Sequence, residues 1–312
     1  MSYRDKKVED TSIAGTFVRA LIARFSSDHL LGKKIKNGEL RRKWIEPPWT
    51  APDGFLWTEM KYKEFEMEWL EAEKSVSDYV LLQLHGGGYV GTLHNAYRNF
   101  AVLYSELGNG MSVLTINYRV APKHPYPAAL EDAVCAYEWL LEKGYDSNRI
   151  LVAGDSAGGG LALALVMYLR DHGAKLPAGI IAMSPWTDLT ASGESYQSNY
   201  EKDPLFGNTK DSLIYNREYV GLEDPKNPYI SPAFGEFDDF PPVLIQVGSY
   251  EMLLSDSETV ARKAREKGVK VRLHVYEGMF HVFQMAMQLM PESRLAWKEV
   301  GKFLNVVCES EI

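Results

Sequence analysis

The sequence predicts an α/β fold, a largely parallel sheet covered by helices on both faces, and three observations carry that prediction. Strand-like apolar runs recur at 79–84, 112–117, 149–154, 179–184, 242–247 and 270–276, mostly separated by helical patterns of ordinary length. Alternation of this kind is what successive βαβ units produce. Two of the runs end in glycine-rich loops, His85-Gly86-Gly87-Gly88 and Gly154-Asp155-Ser156-Ala157-Gly158-Gly159. One interval breaks the rhythm: residues 185–242 between two strand-like runs are far more than a single crossover helix requires.

Taken in order, the chain starts with Ile13, Phe17, Ala20, Leu21 and Arg24 at helical spacing behind Thr11 and Ser12 as caps, an amphipathic helix. A second helical patch from Glu39 to Ile45 stops at Pro47-Pro48. From Trp57 to Leu70 the pattern alternates, with Phe65, Met67 and Trp69 on one face, which predicts an antiparallel strand pair. The α/β alternation follows. The long interval contains Asp203-Pro204-Leu205-Phe206, a helix-like stretch from Ser212 to Val220, and a turn-rich exit through Pro225, Pro228 and Pro232. Together with the N-terminal helices it is expected to form a cap over the carboxyl ends of the strands. The expected division is residues 1–48 for the N-terminal part of the cap, 49–186 for the first part of the core, 187–240 for the cap insertion and 241–312 for the second part of the core. The last run, Val269 to Tyr276, is expected to be an edge strand poorly protected against pairing, and hence a route to a homodimer.

With 312 residues, 46% of them hydrophobic, the chain can bury a sizeable core. A formal net charge of −8 supplies no basic face for phosphates, so no nucleic-acid partner is expected. Cys135 and Cys308 form neither a disulfide framework nor metal-ligand spacing, and no cluster of His, Cys, Asp or Glu does so either; no metal or cofactor is expected. The charged start lacks an apolar signal core and no stretch is long and apolar enough to span a bilayer, so the expected location is the cytoplasm.

The chemistry centres on Ser156. It lies between the strand-like run Arg149 to Ala153 and the apolar helical run from Leu161 to Leu169, the strand, sharp turn and helix of a nucleophile elbow. Glycines two residues either side are needed because a Cβ there would collide with the neighbouring strand or helix. A serine hydroxyl needs a base, itself oriented by a third group. Of the seven histidines, His29 and His172 lie in polar helix-end contexts, His85 sits in the glycine loop, His94 and His124 precede Ser156 in loops, and His274 alternates along the last strand. His281 lies in a loop just beyond that strand, where the order Ser, acid, His places the base. The acid belongs in the loop after the preceding parallel strand, which offers Glu251 early and Asp256 where a helix N-cap belongs; Glu251 is preferred. An oxyanion hole is expected from the amides of Ala157, Gly87 and Gly88. Tyr89 and Trp186 are expected to border the acyl space, with Phe206, Tyr215 and Phe280 as apolar cover, against the commoner fate of such rings as core filling.

Four ordered motifs carry a resemblance: His85 to Tyr89, Asn117-Tyr118-Arg119-Val120-Ala121-Pro122 running into His124 to Asp132, Gly154 to Gly159, and Ser184-Pro185-Trp186-Thr187-Asp188-Leu189. Over about residues 50–305 the chain resembles the hormone-sensitive-lipase family of esterases, the bacterial family IV. The resemblance implies an α/β-hydrolase core of eight mostly parallel strands, a helical cap, and hydrolysis of small carboxylic esters through an acyl-enzyme. It also implies loop-organising roles for His85 and Asp155, bracing by Tyr118 to Asp132, and pairing of edge strands across a two-fold axis. At the acid position members commonly show an aspartate followed by Pro-Leu, whereas this chain has Glu251-Met252-Leu253. The alternative function, a non-catalytic ligand-binding protein on the same scaffold as in the plant gibberellin receptors, is disfavoured because those have lost the catalytic histidine and His281 is retained here.

Overall fold

The computed structural model describes residues 5–8, 10–26, 46–209 and 212–309. The expected eight strands are present and a ninth joins them: β1 (Lys6–Val8), β2 (Phe55–Tyr62), β3 (Phe65–Ala72), β4 (Val80–Leu84), β5 (Ser112–Asn117), β6 (Ile150–Asp155), β7 (Gly179–Met183), β8 (Val243–Gly248) and β9 (Val271–Tyr276). They form one sheet in the order β1-β9-β8-β7-β6-β4-β5-β3-β2. Every neighbouring pair from β1 to β5 is parallel, while β3 runs antiparallel to β5 and β2 antiparallel to β3.

Why the centre of the sheet lacks alternation follows from its burial. Strands β4, β6, β7 and β8 are covered on both faces, so their sequences read as near-continuous apolar runs. Val80, Leu82, Leu84, Ile150 and Val152 pack into one apolar cluster with the helices Ala128–Glu142, Ala157–Asp171 and Leu254–Glu266. Leu81, Leu151 and Ala153 point the other way, into a second cluster with Asn95–Leu107 and Pro291–Glu309. Each fully buried aliphatic side chain of this kind stabilises the fold by roughly 1.5–3 kcal/mol. Because β4 lies between β5 and β6, the chain winds outward in opposite directions on either side of the β4–β6 seam. The crevice at the carboxyl ends of these two strands is where a doubly wound sheet places its ligands.

Two expectations need correction. Strand β9 is not an edge: β1 pairs with it in parallel register, Lys6 opposite His274 and Val8 opposite Tyr276, and Asp5 Oδ1 accepts the Leu273 amide at 3.1 Å. A three-residue strand carries no period to read, and the dimer expected through this strand loses its premise. The helix expected at Ser212–Val220 is a single 3-10 turn, Leu213–Tyr215. Asn216 ends it by turning to extended backbone and accepting the Glu218 amide on its own side chain at 2.8 Å, a local bond that competes with helix. Among the described residues the insertion holds one further short helix, Ser195–Ser198, and the 3-10 turn Pro232–Phe234. The helical patch expected at Glu39–Ile45 lies outside the described residues.

The first helix, Ile13–Ser26, forms as expected behind Ser12, whose Oγ accepts the Gly15 amide at 2.9 Å. It lies over the loop that follows β9. Thr11 Oγ1 donates to the Glu277 carbonyl at 2.6 Å, Arg19 Nη1 to the Gly278 carbonyl at 2.6 Å, and Ser12 donates to the Glu292 carboxylate.

Candidate active site

Ser156 stands at the end of β6, with φ 52° and ψ −122°, a conformation that holds its side chain clear of both strand and helix. The expected need for glycine is visible in contacts: a Cβ on Gly158 would run into the carbonyl oxygens of Leu84 and His85 at the end of β4. The elbow is tied to its neighbours through the backbone, the Ser156 amide donating to Met183 O at 2.9 Å and its carbonyl accepting the Trp186 amide at 2.8 Å.

His281 follows β9 and brings Nε2 to 2.8 Å from Ser156 Oγ. On the other side of the ring Nδ1 lies 3.0 Å from Glu251 Oε2. Glu251 follows β8, so the two residues come from adjacent parallel strands, with β7 between β8 and β6. Its carboxylate is fully buried, yet the remaining oxygen accepts from Ser184 Oγ at 2.7 Å and from the Gly248 amide at 2.5 Å. A buried charge is tolerable when its lone pairs are filled in this way. Asp256, the other acid considered, points elsewhere: Oδ2 accepts the amides of Thr187 at 2.7 Å and Asp188 at 2.8 Å.

Burial pushes the Asp256 carboxyl up to about 8, the Thr187 amide opposing and Asp188 adding to the rise. Since its pKa in the fold lies above the unfolded value near 4, the fold holds this proton more tightly than the unfolded chain. The associated stability is full below about pH 4 and lost as pH rises through about 8. Denaturant midpoints measured from pH 4 to 9 should therefore fall less steeply for Asp256→Asn than for the parent chain. Identical slopes would show that the carboxyl is ionised in the fold.

Opposite the elbow, Gly87 and Gly88 adopt φ 107° and 62°, which turns the loop after β4 so that the Val90 and Gly91 amides bond back to Gly87 O. Asp155 links this loop to the elbow. Its Oδ1 accepts the Gly86 amide at 3.2 Å, and Tyr97 OH, itself accepting that amide at 2.9 Å, donates to Oδ2 at 3.3 Å. His85 stacks on Tyr118 with ring centroids 4.1 Å apart, and Tyr118 OH donates to His85 O at 2.7 Å. Burial lowers the His85 pKa to about 4, so the ring is neutral and unfit to carry charge at neutral pH. Arg119 is bound through its guanidinium and its amide to Asp132.

The aromatic residues fall into different places. Tyr89 is buried, its ring stacked on Tyr219 at 3.7 Å and tilted against Trp186 at 6.2 Å. Phe206 lies 4.6 Å from the His281 ring. Tyr215 is 39% exposed on the short turn whose Leu213 covers Gly88, close enough that a Cβ on that glycine would meet its side chain at 2.6 Å. Phe280 is packed with Tyr276, Met279, Phe283 and Met290 beneath Val18 and Ile22 of the first helix, so its ring fills core.

Sequence reasoning left two residues of the site unassigned, Tyr219 and Ser184. Tyr219 lies in the insertion, where no motif marks it. Ser184 lies in one of the four motifs, which assigns it no role; its Oγ, besides donating to Glu251, accepts the Val282 amide at 3.1 Å and so joins the Glu251 loop to the His281 loop. No group of three or more His, Cys, Asp or Glu among the described residues could hold a metal ion. Nor is any helix among them long and apolar enough to cross a membrane.

Residues 81–285 match a family described as having the alpha/beta hydrolase fold. An acetyl-hydrolase of Streptomyces hygroscopicus is 40% identical over 240 residues, 76% of this chain and 79% of that protein. A crystal structure of an esterase from the bacterial hormone-sensitive lipase family superposes with a TM-score of 0.81 at 32% identity, covering 95% of this chain and 98% of that one. The esterase EstE5, in crystals soaked with p-nitrophenyl butyrate, superposes with a TM-score of 0.84 at 31% identity over 96% of this chain and all of that one (100%).

Proposed function

The chain belongs to the alpha/beta hydrolase fold family, among the bacterial esterases of the hormone-sensitive-lipase type, and on that premise we propose that it cleaves small, short-acyl esters with a Ser156-His281-Glu251 triad. It is a carboxylic ester hydrolase. The observation that carries the finer reading is the continuous hydrogen-bonded line from Ser156 Oγ through His281 to the Glu251 carboxylate, 2.8 and 3.0 Å. Ser156 Oγ attacks the ester carbonyl while His281 Nε2 takes its proton and passes it to the departing alcohol. Glu251 holds Nδ1–H and stabilises the imidazolium. The amides of Gly87, Gly88 and Ala157 receive the developing oxyanion, and water on the reverse path releases the acid from the acyl-enzyme. Residues 187–240, with the helix Ile13–Ser26, serve as the cap over a core made of 49–186 and 241–312; Lys6–Val8, expected in the cap, instead adds a strand to that core.

Short acyl chains are favoured by the buried rings of Tyr89, Trp186 and Tyr219 packed beside the elbow, with Phe206 beside the base and Tyr215 at the rim. On a panel of p-nitrophenyl esters, acetyl to hexanoyl should react far faster than dodecanoyl. Trp186→Ala should lengthen the accepted chain, each newly buried methylene contributing about 0.8 kcal/mol. A phosphonate should label Ser156 and abolish turnover, and chelators should leave it unchanged. A parent enzyme fastest on dodecanoyl esters would remove the short-acyl reading, and activity in phosphonate-labelled protein would remove the mechanism.

A further inference from the structure

The acid loop is held from the insertion as well as from the core. Asn199 Nδ2 donates to the carbonyls of Ser249 at 2.9 Å and Glu251 at 2.8 Å. Four residues on, the Asp203 carboxylate, 2% exposed, divides its oxygens between two loops. Oδ1 accepts the amides of Leu205 at 2.9 Å and Phe206 at 3.0 Å, while Oδ2 accepts the amide of Met252 at 2.8 Å. Met252 is the residue directly after Glu251, and Phe206 is the residue whose ring rests on His281. One buried side chain thus touches the backbone beside the acid and the turn packed against the base.

This contact needs the departure from the common Asp-Pro-Leu pattern noted above. A proline at the position of Met252 has no N–H, so it would offer Asp203 nothing to bind. Glutamate is also one methylene longer than aspartate, so the Glu251 backbone has to be held at a particular depth for Oε2 to meet His281 Nδ1. We propose that Asp203 is a positioning residue of the reaction: its bond to the Met252 amide fixes the depth of the Glu251 loop, and the insertion thereby sets the alignment of acid and base. The inference rests on Glu251 being the acid of the triad.

The test is a double-mutant cycle on the full chain with p-nitrophenyl butyrate. Asp203→Asn leaves one oxygen for two sets of amide donors, and Met252→Pro removes the donor with a residue the resembling proteins commonly carry there. Each should lower kcat by about 10- to 100-fold and change KM by less than about 3-fold, because positioning acts in the transition state. The double variant should be no slower than the slower single one, since both break one bond. Effects that multiply, or losses confined to KM, would overturn the proposal and leave Asp203 serving only its own turn. Should Asp203→Asn fail to fold, Met252→Pro carries the test alone: parent-like kcat in that variant overturns the proposal. Glu251→Gln assayed alongside separates the two levels, because near-parent turnover there removes the acid assignment itself.

Discussion

Ser156→Ala is expected to lower kcat by about 10⁴- to 10⁶-fold, and His281→Ala by a similar factor, with folding unchanged in both. In the proposed mechanism the two residues form one proton-transfer unit, so either loss removes the whole step and the double variant should be no slower than the single ones. Neither side chain is part of the sheet: Ser156 stands between β6 and the helix Ala157–Asp171, and His281 lies in the loop after β9. Circular dichroism and the denaturant midpoint would establish folding, and stopped-time assays at high enzyme concentration would reach the residual rate. Turnover within tenfold of the parent in either folded variant would refute the mechanism.

Glu251→Gln is the second large effect, on the order of 10⁴-fold in kcat. The two donors at Oε1, Ser184 Oγ and the Gly248 amide, fix which way the new side-chain amide settles: its oxygen stays with them and its NH₂ faces His281 Nδ1. An NH₂ there can only donate, so the ring must carry its proton on Nε2, pointing at Ser156. The base then holds a proton where it needs a lone pair. Asp256→Asn should change kcat by less than about tenfold, since that carboxyl serves the Thr187 and Asp188 amides and no member of the proton path. The reverse ranking would move the acid role to Asp256.

Ser156, His281 and Glu251 were legible in the sequence because each sits at a fixed place in a repeating unit, just beyond the carboxyl end of a buried apolar strand. The central strands announced themselves by composition. Lys6–Val8 did not, since three residues backed by charges show neither period nor hydrophobicity. Ser212 to Val220 has helical composition, but Asn216 offers its backbone a competing side-chain bond that propensity alone does not weigh. Ser184 and Asp203 stand in stretches the sequence singles out, but their contacts were not legible there: their partners lie 67 and 49 residues away, at Glu251 and Met252, and only the closed fold brings them together.

The helix Ile13–Ser26 has a bearing on how the protein is made. The bonds of Thr11, Arg19 and Ser12, in the helix and just before it, to Glu277, Gly278 and Glu292 join positions separated by 266, 259 and 280 residues. Contacts of such high sequence separation close late and slow the search for the native state. During synthesis the early segment therefore waits, its mate unmade, until nearly the whole chain has left the ribosome. The His281 loop follows the last strand to be made, so a nascent chain can hold the strands from β2 to β8 and a bent elbow before β9 and His281 complete the sheet and the proposed triad.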